Sequence, residues 1–144
     1  MLRGINLGAR NRIAMPKLRK ELERAGFEDI STYLQSGNVV LESDLSSDQL
    51  ARRLERQIKK AFKLELDVVV RTRDELADVV KRNPLKKVAT NPKRYQVSFL
   101  SDELDAATVE ELAGLAVPSE RFVARGRELY AWHPEGVARS KLWA

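Results

Sequence analysis

The sequence predicts an α+β protein built from two similar halves, and three observations lead to this prediction. Short stretches in which apolar and polar residues alternate, typical of strands, are separated by longer stretches with the apolar spacing of helices. In residues 1–72 these elements follow in the order strand, helix, strand, strand, helix, strand. A shorter version of the same order begins near residue 95. We therefore expect antiparallel sheets with helices packed on one face.

The first half opens with a predicted strand over Leu2–Asn6. A helix then begins near Pro16, because a proline in the first helical turn lacks only an N–H group that has no helical partner there. Gly26 is suited to end this helix, with Phe27 packing back against it. Alternating stretches on either side of Ser36-Gly37-Asn38 predict a hairpin at that turn.

A second helix and a strand complete the first half. Ser46 followed by Gln49 matches a capping box, which marks a helix start. The apolar positions of this helix recur every four residues, at Leu50, Leu54, Ile58 and Phe62. The valine-rich stretch Asp67–Arg71 then predicts a buried strand. Residues 1–72 thus have the β-α-β-β-α-β order of a ferredoxin-like unit.

The second half repeats most of this order. A helix and a basic, proline-containing loop connect the halves over residues 73–94. Tyr95–Leu100 then predicts a strand, Asp105–Leu115 a helix, and Gly126-Arg127 the turn of a hairpin. Because no final strand follows, residues 95–144 are predicted to form a second, incomplete ferredoxin-like unit. The apolar face of the connecting helix is predicted at Leu76, Val79 and Val80.

Composition excludes several classes of protein. The 144 residues are 43% hydrophobic and 33% charged, as in a globular chain. No apolar run approaches the ~20 residues of a membrane span, and no signal peptide is expected. Cysteine is absent and His133 is the single histidine, so we expect neither a metal site nor a cofactor. A cytoplasmic protein without membrane contact is predicted.

Positive charge is concentrated in two segments. Residues 1–24 hold seven Lys and Arg against two Glu, which equals the net charge of +5 of the whole chain. Residues 81–94 hold six Lys and Arg and no acidic residue. Such clustering is typical of polyanion binding. The alternative is that these residues only keep exposed faces and loops in solution.

The opening stretch LRGINLGARNR is the first candidate site. Arg3, Arg10 and Arg12 offer planar groups that suit phosphate or carboxylate, and Asn6 and Asn11 add neutral donors and acceptors. The spacing of the glycines matches neither a Walker A loop nor a dinucleotide-binding fingerprint. The alternative is a structural crossing from strand to helix with exposed arginines.

Four other sets of polar residues could have either a structural or a functional role. The residues Gln35-Ser36-Gly37-Asn38 either serve only to form a tight turn or also recognise a ligand. We expect this turn at the opposite end of the sheet from the opening loop.

Lys86 and Lys87 are candidate ligand contacts in the second basic segment. Arg139, beside Ser140, is a candidate anion contact. His133 follows Trp132, where packing is commoner than catalysis. No carboxylate pair indicates acid–base catalysis, so no catalytic residue is predicted.

The sequence resembles the bacterial domain-of-unknown-function family 1697. The resemblance is carried by Leu2-Arg3-Gly4-Ile5-Asn6, by Met15-Pro16 with Leu18, by Tyr33-Leu34-Gln35-Ser36-Gly37-Asn38-Val39-Val40, and by Gly136 with Arg139-Ser140-Lys141-Leu142. It implies a tandem ferredoxin-like α+β fold in the cytoplasm and no settled activity. Family members usually continue past Leu142 with a helix and an Arg-Asn-Trp segment, so we expect that this chain is trimmed.

These observations predict a binding module for a phosphate-rich anionic ligand, with nucleic acid as the leading partner. The alternatives are an enzyme that acts on a small anionic, phosphorylated metabolite through the arginine-rich loop, and a protein–protein assembly module. The sequence does not determine the oligomeric state. The predicted ligand contacts are Arg3, Asn6, Arg10, Asn11, Arg12, Lys86, Lys87 and Arg139.

Overall fold

The computed structural model describes residues 1–6, 11–33, 35–138 and 140–142. The candidate residues Arg10 and Arg139 lie outside the described residues. The described part contains four α-helices and two antiparallel sheets, so the predicted α+β class is confirmed. The chain forms two compact units, Met1–Thr72 and Arg73–Ala144. The finer division at residues 73–94 and 95–144 stays a prediction.

The first unit contains two helices and a two-stranded antiparallel sheet. Along the chain these are α1 (Met15–Arg24), β1 (Glu28–Tyr33), β2 (Asn38–Glu42) and α2 (Ser47–Phe62). Thr32 faces Val39 in the β1–β2 register, and the pairing is irregular between Glu28 and Ser31.

The ends of the two helices follow the predicted local signals. Phe27 N–H donates to the Leu22 carbonyl at 3.1 Å, and Gly26 N–H donates to the Glu23 carbonyl at 3.0 Å. Gly26 has a φ of +87°, which completes the Schellman ending that the sequence indicates. At the start of α2, the predicted capping box of Ser46 and Gln49 is present with both of its hydrogen bonds. Both predictions are confirmed.

The opening and closing strands of the first unit are much shorter than predicted. Leu2 and Val68 form a single antiparallel bridge, supported by a 3.0 Å hydrogen bond from Arg3 N–H to the Asp67 carbonyl. The predicted strand Leu2–Asn6 is wrong beyond this bridge, because Gly4 and Asn6 have φ values of +69° and +54° and turn the chain away from an extended path. A complete ferredoxin-like sheet is therefore not confirmed within the described residues.

The core of the first unit lies between the helices and one face of the β1–β2 sheet. Ile30 on β1 points into it, whereas Tyr33 and Val40 on the opposite face are 67% and 69% exposed. The buried core residues are Leu2, Ile5, Ile13, Met15, Leu18, Leu22, Phe27, Ile30, Leu54, Ile58 and Val68.

The second unit contains two α-helices, a short 3-10 helix and a three-stranded antiparallel sheet. Its elements are α3 (Arg73–Lys81), the 3-10 helix (Pro92–Arg94), β3 (Tyr95–Phe99), α4 (Ala106–Leu115), β4 (Arg121–Arg125) and β5 (Glu128–Trp132). The strand order is β3-β5-β4, so β5 is central and pairs with both neighbours. The predicted hairpin at Gly126-Arg127 is confirmed.

One face of this sheet packs under α3. The Tyr130 hydroxyl donates to the Val79 carbonyl at 2.9 Å, and the Tyr130 ring stacks on Tyr95 with centroids 6.5 Å apart. Val79 is buried, but Leu76 and Val80 are 40% and 77% exposed, so the predicted apolar face of α3 is confirmed at Val79 alone. Consecutive helical residues point about 100° apart, so Val80 turns to solvent when Val79 faces the sheet. None of the helices in the described ranges combines the length and apolarity that crossing a membrane requires.

Candidate functional site

Asn6 holds the two ends of the opening loop together. Its side-chain amide donates to the carbonyls of Ile13 at 3.0 Å and Gln35 at 3.1 Å, and its side-chain oxygen accepts from Ile13 N–H at 2.9 Å. The polar atoms of this candidate ligand contact are therefore engaged inside the protein. Asn6 shapes the loop, whatever the loop binds.

Asn11 has a similar internal role. Its amide donates to the Gly4 carbonyl at 3.3 Å, and its own carbonyl accepts from Asn6 N–H at 3.0 Å. Its φ of +49° lies in the left-handed region, which asparagine adopts more readily than most residues. The two asparagines thus connect residues 4–6 to residues 11–13 by hydrogen bonds.

The described arginines of the opening loop are exposed to solvent. Arg3 is 3.3 Å from Asp67, and both side chains are more than half exposed, so this ion pair contributes about 1 kcal/mol or less. Arg12 is also exposed. The structure therefore leaves Arg3 and Arg12 accessible to a ligand and uses the neighbouring asparagines for structure.

The turn Gln35-Ser36-Gly37-Asn38 lies against the opening segment. The Gln35 carbonyl accepts from Asn6, and the Gly37 carbonyl accepts from Leu2 N–H at 2.9 Å. A Cβ atom on Gly37 would lie 2.9 Å from the Ile5 side chain, so the glycine permits this close approach. The expectation that the turn lies at the far end of the sheet is wrong, because its hydrogen bonds bring it to the opening loop.

Lys86 and Lys87 belong to the second unit and are exposed on an anchored turn. Leu85, directly before them, is buried, and its N–H donates to the Asn83 side chain at 3.1 Å. The same Asn83 oxygen accepts from the Tyr95 hydroxyl at 2.6 Å. The turn therefore presents both lysines to solvent from a fixed backbone.

The structure adds a basic surface that the candidate residues did not include. One solvent-facing side of α2 and its C-terminal cap carries five exposed cations, which we call the α2 basic row: Arg52, Arg56, Lys59, Lys60 and Lys63. Their spacing of i, i+4, i+7, i+8 and i+11 places them on one side of a helix, opposite the buried Leu54 and Ile58. Because this spacing can be read from the sequence, the row could have been predicted from the helix period.

Two exposed carboxylates lie beside the five cations of this surface: Asp48, one turn before Arg52 on the same side of α2, and Glu65, just after the helix. Glu55 of α2 is turned away from it, accepting a 3.0 Å hydrogen bond from Val68 N–H. Glu65 pairs with Lys59, whose hydrogen bond and charge lower the pKa of that carboxyl. Four members of the row and Glu65 line an open depression of about 490 Å³: Arg56, Lys59, Lys60 and Lys63. The surface therefore carries a strong excess of positive charge.

A buried polar cluster in the second unit was also missed. Nδ1 of His133 lies 2.7 Å from Oε1 of Glu120, and Val117 N–H donates to the other carboxylate oxygen at 3.1 Å. Ser140 also hydrogen-bonds to Glu120. The side chains of Glu120 and His133 are buried, and Ser140 is 8% exposed. Glu120 directly precedes β4 and His133 directly follows β5, so the hairpin register that pairs Arg121 with Trp132 places them side by side. The predicted hairpin could have shown this pairing, whereas its burial depends on the tertiary structure.

The environment of Glu120 keeps it ionised. Burial alone would raise its pKa, but hydrogen bonds from Ser140, His133 and the Val117 N–H outweigh burial and lower the pKa below its ordinary value. The cluster borders a cavity of about 230 Å³. In the described residues no group of three histidine or acidic side chains is placed to hold a metal ion.

Comparisons with known proteins place the fold and the family. The structure of the conserved bacterial protein SP0830 from Streptococcus pneumoniae is similar, with a TM-score of 0.73 and 22% identity over 99% of this chain and 81% of that chain. At this identity the likeness shows the fold alone. No curated protein matches the chain. The model of the family described as "Protein of unknown function (DUF1697)" matches residues 1–130. The chain belongs to the DUF1697 family, whose function is unknown.

Proposed function

We propose that this protein is a binding module for a phosphate-rich anionic ligand and that the α2 basic row is its main contact surface. The observation that carries the proposal is the placement of five exposed cations on one side of one helix. Eleven residues separate the first member from the last, so the five cations are spread over about three helical turns. A ligand with several negative charges can contact several members of this row at once.

The cost of the row to the helix supports a functional role. Arg52 and Arg56, Arg56 and Lys60, and Lys59 and Lys63 are three like-charge pairs at i,i+4 spacing. Each such pair disfavours a helix by roughly 0.2–0.5 kcal/mol. Lys59 and Lys60 gain some stability from the helix dipole at the C-terminus, but Arg52 and Arg56 lie too far from it. Asp48 and Arg52 form one favourable i,i+4 pair, but the three like-charge pairs outnumber it. Stability of α2 therefore does not explain why the row is basic.

The chemistry of the row favours phosphate. Arginine offers a planar group that binds two phosphate oxygens, and lysine adds compact charges that tolerate different geometries. Within the first unit we include Arg3, Arg10 and Arg12 as secondary contacts, while Asn6 and Asn11 maintain the shape of the opening loop. Lys86, Lys87 and Arg139 are separate candidate contacts on the second unit.

We further propose that each unit has the ferredoxin-like arrangement and that the protein works in the cytoplasm. In the first unit, the Leu2–Val68 bridge and the Leu2–Gly37 hydrogen bond support the segment order 67–69, 1–3, β2, β1. In the second unit, the order β3-β5-β4 corresponds to three strands of the same pattern. The cytoplasmic assignment is supported by the absence of cysteine.

Fluorescence anisotropy with labelled oligonucleotides tests the proposal. Arg56→Ala/Lys60→Ala removes two of the three like-charge pairs and raises helix propensity, so the variant should fold at least as well as the wild type. We expect binding to weaken by about tenfold at low salt. The matched control is Lys17→Ala/Lys20→Ala, which removes the same charge from exposed positions of α1. An equal loss in both variants, or no binding by the wild type, would contradict the proposal.

A further inference from the structure

We infer that the α2 basic row binds the sugar–phosphate backbone of double-helical nucleic acid and does not read its base sequence. The inference rests on the proposed function and names the class of ligand for the same surface. Three features of the row carry it: its length, its open shape and its composition.

The length of the row fits a polymer better than a small anion. Arg52 and Lys63 are eleven residues apart. At a rise of 1.5 Å per residue this spans about 17 Å along the axis of α2. A single phosphate group can contact only neighbouring members of such a row. Duplex DNA carries about one negative charge per 1.7 Å of its axis, so it presents roughly ten charges over the same length.

The open shape of the surface also disfavours a small ligand. Sites for small molecules are concave and bury about 70–90% of their ligand. Here the lining residues of the depression, Arg56, Lys59, Lys60, Lys63 and Glu65, are all exposed. They belong to the second half of α2 and the chain directly after it. A ligand on this surface keeps its outer side in solvent, as a duplex lying along a protein surface does.

The composition of the row predicts contacts to phosphates only. Its five members are arginine and lysine, without the asparagine or glutamine that reads adenine edges and without an aromatic ring for stacking. Binding of single strands relies on aromatic rings on which bases stack. In the described part of the first unit, the strongly exposed ring is Tyr33, which lies on β1 and not on α2. Phosphate contacts position a protein on a duplex but carry no sequence information.

Arg53 is also an exposed cation of α2, but its guanidinium is engaged within the first unit. Its guanidinium lies 4.7 Å from the centre of the Phe27 ring and donates to the Ala25 carbonyl at 2.9 Å. This cation therefore fastens α2 to the end of α1. The members of the row face away from the core instead, and Lys59 pairs with Glu65.

Fluorescence anisotropy with the full chain tests the inference. The labelled ligands are two duplexes of unrelated sequence and their single strands. Inorganic tripolyphosphate and poly-glutamate are added as competitors. We expect the two duplexes to bind with affinities that agree within about twofold, and more tightly than the single strands. Between about 50 and 200 mM salt, we plot the logarithm of the binding constant against the logarithm of the salt concentration. The slope should be less steep by roughly two in Arg56→Ala/Lys60→Ala, because each lost phosphate contact contributes about 0.9. Lys17→Ala/Lys20→Ala should keep the wild-type slope.

The outcomes separate the inference from the proposed function. Equal or tighter binding of single strands, a strong preference for one duplex sequence, or an unchanged slope in the α2 variant would overturn the inference. Displacement of the duplex by tripolyphosphate at equal phosphate concentration would overturn it too and leave the proposed function intact. Tighter binding of poly-glutamate than of any phosphate polymer would overturn both, as would a failure of every polyanion to bind.

Discussion

Nδ1 of His133 lies 2.7 Å from Oε1 of Glu120, and both side chains are buried in the second unit. Glu120 directly precedes β4, and His133 directly follows β5. The contact therefore ties the open end of the hairpin together. Through its hydrogen bond to Ser140, the same carboxylate also holds the segment that follows β5.

Replacing this carboxylate should destabilise the second unit. Glu120→Gln replaces a buried carboxylate by an amide that cannot accept from Val117 N–H, Ser140 and His133 in the same way, which typically costs about 1–3 kcal/mol. Urea unfolding followed by circular dichroism measures the change. Glu135→Gln is the matched control, because Glu135 lines the same cavity but is exposed, and it should stay within about 0.5 kcal/mol of the wild type. Similar losses in the two variants would contradict the role of Glu120.

Glu120 should also make stability depend on pH in the acidic range. Its pKa is lower in the folded chain than its ordinary value of 4.5, so the folded state favours the ionised form. The resulting stabilisation is present above pH 4.5 and is lost as the pH falls through the folded pKa. The free energy of unfolding, measured from neutral to acidic pH, should fall less steeply in Glu120→Gln. Parallel curves for wild type and variant would show that Glu120 does not contribute.

Gly136 and Gly114 should respond in opposite directions to alanine. Gly136 has a φ of +91°, and a Cβ atom there would collide with the Arg94 guanidinium, so Gly136→Ala should destabilise by about 1–3 kcal/mol. Gly114 lies within α4, where a Cβ atom would meet no neighbouring atom within 4 Å. Gly114→Ala should therefore stabilise by roughly 0.5–1 kcal/mol. Thermal unfolding of both variants measures the difference, and a stabilising Gly136→Ala would refute this account of the glycine.

Tyr95 should ionise only at strongly alkaline pH. Burial, with a smaller contribution from Tyr130, raises the pKa of Tyr95 from 10.0 to about 12. The folded state thus favours the neutral phenol, which donates to Asn83, and this stabilisation is lost as the pH rises from 10 towards 12. In a pH titration followed by the ultraviolet absorbance of tyrosinate, Tyr95→Phe should have one fewer tyrosine that ionises above pH 10. If the variant instead lacks a tyrosine that ionises near pH 10, the assignment is contradicted.

The elements that the sequence predicts well depend on contacts between near neighbours. The end of α1 uses hydrogen bonds from Gly26 and Phe27 to residues three and five positions earlier. The start of α2 uses Ser46 and Gln49, three positions apart. Because both partners of each bond lie within a few residues, the local pattern is sufficient to predict the geometry. The same argument applies to the α2 basic row, whose spacing follows from the helix period.

The paired length of the opening strand could not be predicted in this way. Leu2 pairs with Val68, and the extent of that pairing depends on where both segments leave the extended conformation. Asn6 has a left-handed φ that is stabilised by hydrogen bonds to the nearby Ile13 and to Gln35, which is far along the chain. A strand propensity over five residues carries no information about such distant partners.

By itself, the sequence determined the α+β class, the local helix and hairpin signals, the DUF1697 family and the concentration of positive charge. These follow from periodicity, from short-range hydrogen bonding and from composition. Only the tertiary structure decided that the Asn6 amide reaches the Gln35 carbonyl and that the side chains of Glu120 and His133 are buried. The physical reason is that burial and long-range hydrogen bonds exist only after distant segments pack together, and these decide whether a polar side chain serves structure or stays available to a ligand.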